Sequence, residues 1–127
     1  MLTTQGTTEK IYDLKERVAR FGKDVIVFCR SVKLDAIVDP LIRQVVRSAT
    51  SIGANYCEAS NASSKKDFRN KMIIAKKEAQ ETGHWMQMLL VACPDKKFEV
   101  AKLQQESHEL LLILQKSVSS IEKKLED

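Results

Sequence analysis

Apolar residues fall at spacings of three and four through four long stretches of this chain, a pattern that admits little besides helices packed side by side. In the first stretch Ile11, Leu14, Val18, Phe21, Val25 and Phe28 form a seam that a neighbouring helix can fill by knobs-into-holes packing. Leu103, Leu110, Leu114, Val118, Ile121 and Leu125 form a similar seam near the other end. Four glycines and two prolines among 127 residues leave too few breaks for a strand-and-turn architecture. A chain of this length can bury a core without disulfides or metals.

The breaks set the helix limits. Thr8 followed by Glu9 predicts a first helix from about residue 8 to Ser31, after a flexible tail over residues 1–7. Asp39-Pro40 has the form of a cap and first helical residue, opening a second helix that reaches Ala59 or Ser60. Ser63 or Ser64 then caps a third from Lys65 to Leu90, with Phe68, Met72, Ala75, Ala79, Thr82, Trp85, Met86 and Leu89 on its core face. After Cys93-Pro94, Asp95 is placed to cap a fourth, from about Lys96 to Leu125. Short connectors imply an all-α, up-down-up-down antiparallel four-helix bundle as one domain over residues 8–126. The run Leu110 to Leu114 is apolar on more than one side, which favours a partner chain over a monomer.

Few chemistries fit the remaining residues. Three cysteines without a CxxC pair exclude the usual zinc and disulfide patterns, and all three are expected as buried thiols. Glu81-x-x-His84 occurs once, whereas carboxylate-bridged di-iron bundles need the element twice; His84 falls opposite the core face, and His108 lies on another helix. There is no nucleophile elbow and no glycine loop for phosphate. We therefore expect no catalytic residues, no metal and no cofactor. No run of 18 apolar residues and no basic-then-apolar leader occurs, so a cytoplasmic protein is expected.

Two polar features stand out. Gln44, Arg47, Ser48, Ser51, Asn55 and Glu58 share an arc of about 100° on the second helix, rich in small neutral groups that suit close helix contact. Glu78 falls on the apolar face of the third helix with Glu81 at its edge, and Arg47 is the natural partner for such a carboxylate. The second feature is cationic: Lys65, Lys66, Arg69, Lys76 and Lys77 share a face of about 120°. With 21 Lys and Arg against 17 Asp and Glu, and a pI near 9.0, that face could follow phosphates.

The second helix, Gln44-x-x-Arg47-Ser48-Ala49-x-Ser51-Ile52-x-x-Asn55-x-x-Glu58-Ala59, resembles the signature of small bacterial four-helix bundle proteins encoded in intervening sequences of large-subunit ribosomal RNA genes. Proteins of this family are often labelled ribosomal. Ile11-Tyr12-Asp13-Leu14, Arg17 and Phe21 continue the resemblance upstream, as do Asp67-Phe68, Ile74-Ala75 and Glu81-Thr82 downstream. The chain departs from many such proteins at Lys77-Glu78, where they carry Gly-Ser. The family is similar to the accessory variability determinants of diversity-generating retroelements, which form homopentameric barrels and bind a reverse transcriptase with nucleic acid. What the resemblance implies here is a ring of protomers, a pentamer, binding RNA or RNA–DNA without catalysis. The alternative it implies is a scaffold that docks a protein such as a reverse transcriptase.

Overall fold

The computed structural model describes residues 2–126, with side chains from Leu14 onward. Four helices, α1 (Leu2–Ser31), α2 (Val38–Ser60), α3 (Lys65–Ala92) and α4 (Lys97–Glu126), make up the fold. Each packs on its neighbours in chain order and α4 returns to α1. This is the antiparallel four-helix bundle that the apolar spacing predicts. α1 begins at Leu2, six residues before the start at Thr8 that the sequence predicts, so residues 2–7 of the expected tail are helical; the Thr8 cap and the seam contact of Ile11 fall outside the described side chains.

Every helix contributes one stripe to the core. Val18, Phe21, Val25 and Phe28 come from α1, Val45, Ala49 and Ile52 from α2, Met72, Ala75, Ala79, Met86 and Leu89 from α3, and Val100, Leu110, Leu114 and Val118 from α4. Burial of a side chain as large as Leu110 or Phe21 contributes about 1.5–3 kcal/mol, so these stripes set the fold's stability. The terminal Leu125, drawn into the α4 seam by its spacing, is instead exposed.

Two caps differ from expectation. The α2 start is held by Asp35, whose Oδ1 accepts the backbone N–H groups of Ile37 at 2.9 Å and Val38 at 2.8 Å. Asp39 lies already inside the helix and pairs with Arg43 at 3.3 Å. An acidic residue just before a proline resembles a cap in sequence, but the chain turns four residues earlier, where Asp35 can reach the free N–H groups. Asp95 sits within a 3-10 turn over Pro94–Lys96 rather than capping α4; that turn is closed by Lys96 N–H donating to Cys93 O at 2.9 Å. Ser64 does cap α3, its Oγ accepting from Asp67 N–H at 3.0 Å.

The apolar run on α4 divides by side. Leu110 and Leu114 are buried, Leu111 and Ile113 are half-buried, and Leu112 is exposed. A second exposed apolar group lies at the end where α1 meets α2 and α3 meets α4. Leu34, Ile37, Val91 and Phe98 all stand there in solvent, Val91 at 82% and Phe98 at 76% exposure. No described helix is long and apolar enough to cross a membrane.

Candidate functional site

The polar arc of α2 faces α3. Ser48 Oγ and Thr82 Oγ1 lie 2.8 Å apart and are hydrogen bonded, both fully buried, and Thr82 Oγ1 is also 2.7 Å from Glu78 O on its own helix. Two hydroxyls that satisfy one another let the helices approach without stranding a polar group. Farther out, Arg47 donates to Gln44 Oε1 at 3.3 Å, to Glu78 at 3.3 and 3.4 Å, and to Glu81. Glu81 also accepts from Trp85 Nε1 at 2.8 Å. Glu78 keeps 17% of its side chain exposed and Arg47 keeps 47%, so the pair lies at the rim of the seam rather than in the core. Lower on the same seam Glu58 accepts from Lys71 Nζ at 2.9 Å, a bond that raises the lysine pKa.

Ser51 and Asn55 do not cross the seam. Asn55 Nδ2 donates to Ser51 O at 2.9 Å within α2, and both side chains are half-buried. Side chains of this length can bond to the preceding helical turn as readily as to a neighbour.

A second clasp joins α1 to α4. Arg17 donates in fork geometry to both carboxylate oxygens of Glu106 at 2.7 Å and to Glu109 at 2.8 Å. Glu106 and then Glu109 raise the Arg17 pKa, while Gln105 first and Arg17 second hold the Glu109 carboxyl below its ordinary range. Sequence spacing gives no sign of this clasp beyond Arg17 on α1 and two glutamates three apart on α4.

The cations on α3 have a different environment. Lys65, Lys66 and Lys77 are exposed, and Arg69 and Lys76 half-buried, along the outward face of the helix. Among the described residues none of the five pairs with a carboxylate, whereas Arg17, Arg43, Arg47, Lys71 and Lys96 all do. The stripe is not uniform: Lys66 and Arg69 share a surface depression with Glu122, Leu125 and Glu126 of α4. Arg69 Nε is buried there without an acceptor, and its terminal amino group donates to Asn70 at 3.2 Å. The least offset cations are therefore Lys65, Lys76 and Lys77.

Beyond Lys77 the same face of α3 becomes neutral and opens into a groove against α4. The groove measures about 460 Å³, and its lining includes Gln80, His84, Gln87, Gln104, Gln105 and His108. It is legible only once the register of the two helices is known, because Ala79 and Gly83 on α3 and Ala101 and Ser107 on α4 leave the space. Among the described residues no three His, Cys, Asp or Glu side chains converge as a metal site would require. Cys29 and Cys93 are buried as expected, but Cys57 is exposed, on the rim of the α1–α2 groove.

A family model described as "23S rRNA-intervening sequence protein" matches residues 10–116. Among solved structures, the chain is similar to a protein of unknown function from the S23 ribosomal protein family of Bacteroides thetaiotaomicron. The two are 29% identical, the match covers 83% of this chain and 97% of that one, and the TM-score is 0.74. No curated protein matches the chain.

Proposed function

We propose that this chain, which belongs to the 23S rRNA-intervening sequence protein family, is a non-enzymatic, homo-oligomeric protein that binds RNA or RNA–DNA through the outward face of α3. The observation that carries the reading is the clustering of five cations on one face of α3. Cations on the inter-helix seams are held by carboxylates, while Lys65, Lys76 and Lys77, on one face of α3 about 120° wide, pair with no carboxylate among the described residues. Lysines grouped on one face neutralise phosphates without reading bases, so affinity would come from counterion release and fall with salt.

Self-association is supported by the apolar side chains left in solvent: Leu34, Ile37, Val91 and Phe98 at one end, and Leu112 on α4. Several such residues close together are more than the scattered exposure usual on a monomer. Copies joined in a closed ring, a pentamer in our reading, would repeat the α3 row and turn weak contacts into useful avidity. The same apolar end favours a second reading, a scaffold that docks a protein such as a reverse transcriptase.

The test is binding of single-stranded RNA and DNA to the purified protein across a salt series, with its mass measured by light scattering. Salt-dependent binding by an oligomer supports the proposal. Binding that ignores salt, or none at low salt, overturns it and favours the protein scaffold.

A further inference from the structure

We propose that the groove between α3 and α4 is a nucleobase site, holding bases of a single strand whose phosphates follow the α3 row. The proposal rests on the nucleic-acid reading above and adds a place where the bases are bound. Its first support is the chemistry of the lining, which contains amides, imidazoles and a hydroxyl but no carboxylate, lysine or arginine. A phosphate would find no fixed countercharge there, and the two imidazoles fall short of the three ligands a metal ion requires. A base edge mixes donors and acceptors on a flat, uncharged ring, which is what a glutamine amide offers in return.

The amides are also accessible. Gln80 and Gln87 are exposed and Gln104 half-buried, and among the described residues none of the three side chains bonds to another protein group, while Gln105 donates to Glu109 at 3.2 Å. Ser107 is buried at the floor and donates to Gln104 O at 2.9 Å, which leaves its oxygen as an acceptor. His84 lies on the wall with its ring centroid 4.9 Å from that of Trp85, edge to face. A base stacked on His84 would therefore perturb the single tryptophan of the chain.

Position along the helices supplies the third support. Lys76 lies one turn before Gln80 on α3, and Lys97 one turn before Ala101 on α4, each about 6 Å along its helix axis from the groove lining. In antiparallel helices these two lysines flank opposite ends of the groove. A strand with its bases in the groove meets positive charge as it enters and as it leaves. At about 460 Å³ the space falls within the range of small-ligand sites, about 300–1,000 Å³.

The test compares a ten-nucleotide oligoadenylate RNA with an abasic sugar-phosphate oligomer of equal charge, by anisotropy and by Trp85 fluorescence. The expected result is about tenfold tighter binding of the RNA, with fluorescence changed by the RNA alone. Gly83→Leu should fill the groove and reduce RNA binding to the abasic level while leaving the salt dependence unchanged. A Cβ at Gly83 meets nothing closer than Ser107 Oγ at 3.8 Å, so a side chain can leave the helix there without a clash at its first atom. The double variant Gln80→Ala/Gln104→Ala should give the same loss, and it carries the test if Gly83→Leu does not fold. Equal affinity for both oligomers overturns the base site and leaves the phosphate row standing. No binding of either at low salt removes the row, and the groove proposal with it. A Gly83→Leu protein whose oligomeric mass changes makes the groove a contact between copies and overturns the proposal.

Discussion

Ser48 and Thr82 place two hydroxyls 2.8 Å apart in the middle of the α2–α3 seam, at zero exposure on both sides. Replacing Thr82 with Val keeps the shape and removes one partner. We expect a loss of about 1–2 kcal/mol in urea unfolding, from Ser48 left with only its long 3.4 Å contact to Val45 O. Ser48→Ala combined with Thr82→Val should cost less than the two single losses together, by about 1 kcal/mol, and a double-mutant cycle measures this directly.

Arg47→Ala is expected to cost about 1–2 kcal/mol. A fully buried Glu78 would demand more, but Glu78 keeps contact with water and Arg47 is nearly half-exposed. Adding Glu78→Gln to Arg47→Ala should recover part of the loss. An unfolding midpoint unmoved by Arg47→Ala would show that the rim pairing contributes nothing.

Acid should loosen the α1–α4 contact. Glu109 titrates below its ordinary range in the folded state, so its contribution is present above the unfolded pKa and lost as pH falls through the folded value. Protection factors of the α1 amides, corrected for intrinsic exchange, should therefore fall only below the ordinary carboxylate range. In Arg17→Met that acid-dependent fall should be absent.

Alkylation should separate the three thiols. Cys57 is exposed, while Cys29 is buried and its thiol is pushed up to about 11, chiefly by desolvation. Mass spectrometry after brief iodoacetamide treatment of the native protein should find one modified cysteine, Cys57, and three after denaturation. Rapid native labelling of Cys29 or Cys93 would contradict their burial.

The lysine row should be visible in the salt slope. Lys65→Ala, Lys76→Ala and Lys77→Ala together should flatten the slope of log affinity against log salt by about 2, at roughly 0.7 per contact on a single strand. Lys71→Ala, whose lysine is held by Glu58, serves as a control and should leave the slope unchanged.

Helix number, order and core stripes were legible because a spacing of three and four is a local signal, and burial follows it from Val18 through Val118. Arg47 and Glu78 were legible as partners because each is an ionic group set on a mostly apolar or small-residue face. What depended on distant register was not. Arg17 and Glu106 are 89 residues apart, and no periodicity says which face of α4 meets α1. The α3–α4 groove is likewise a property of two facing helices. The more conspicuous Asp39-Pro40 masks Asp35 in the sequence, although only Asp35 reaches the free N–H groups.

The clasp between the first and last helices has a consequence in time. Arg17 leaves the ribosome early, and its partner Glu106 is added 89 residues later. At about 5–20 residues per second that interval is roughly 5–20 s. Throughout it α1 has only α2, and then the growing α2–α3 pair, to lean on. A chain cut short before α4 lacks Val100, Leu110, Leu114 and Val118, so it exposes the apolar side of the other three helices to any protease or chaperone at hand. Addition of α4 is the step that turns three associated helices into a closed bundle.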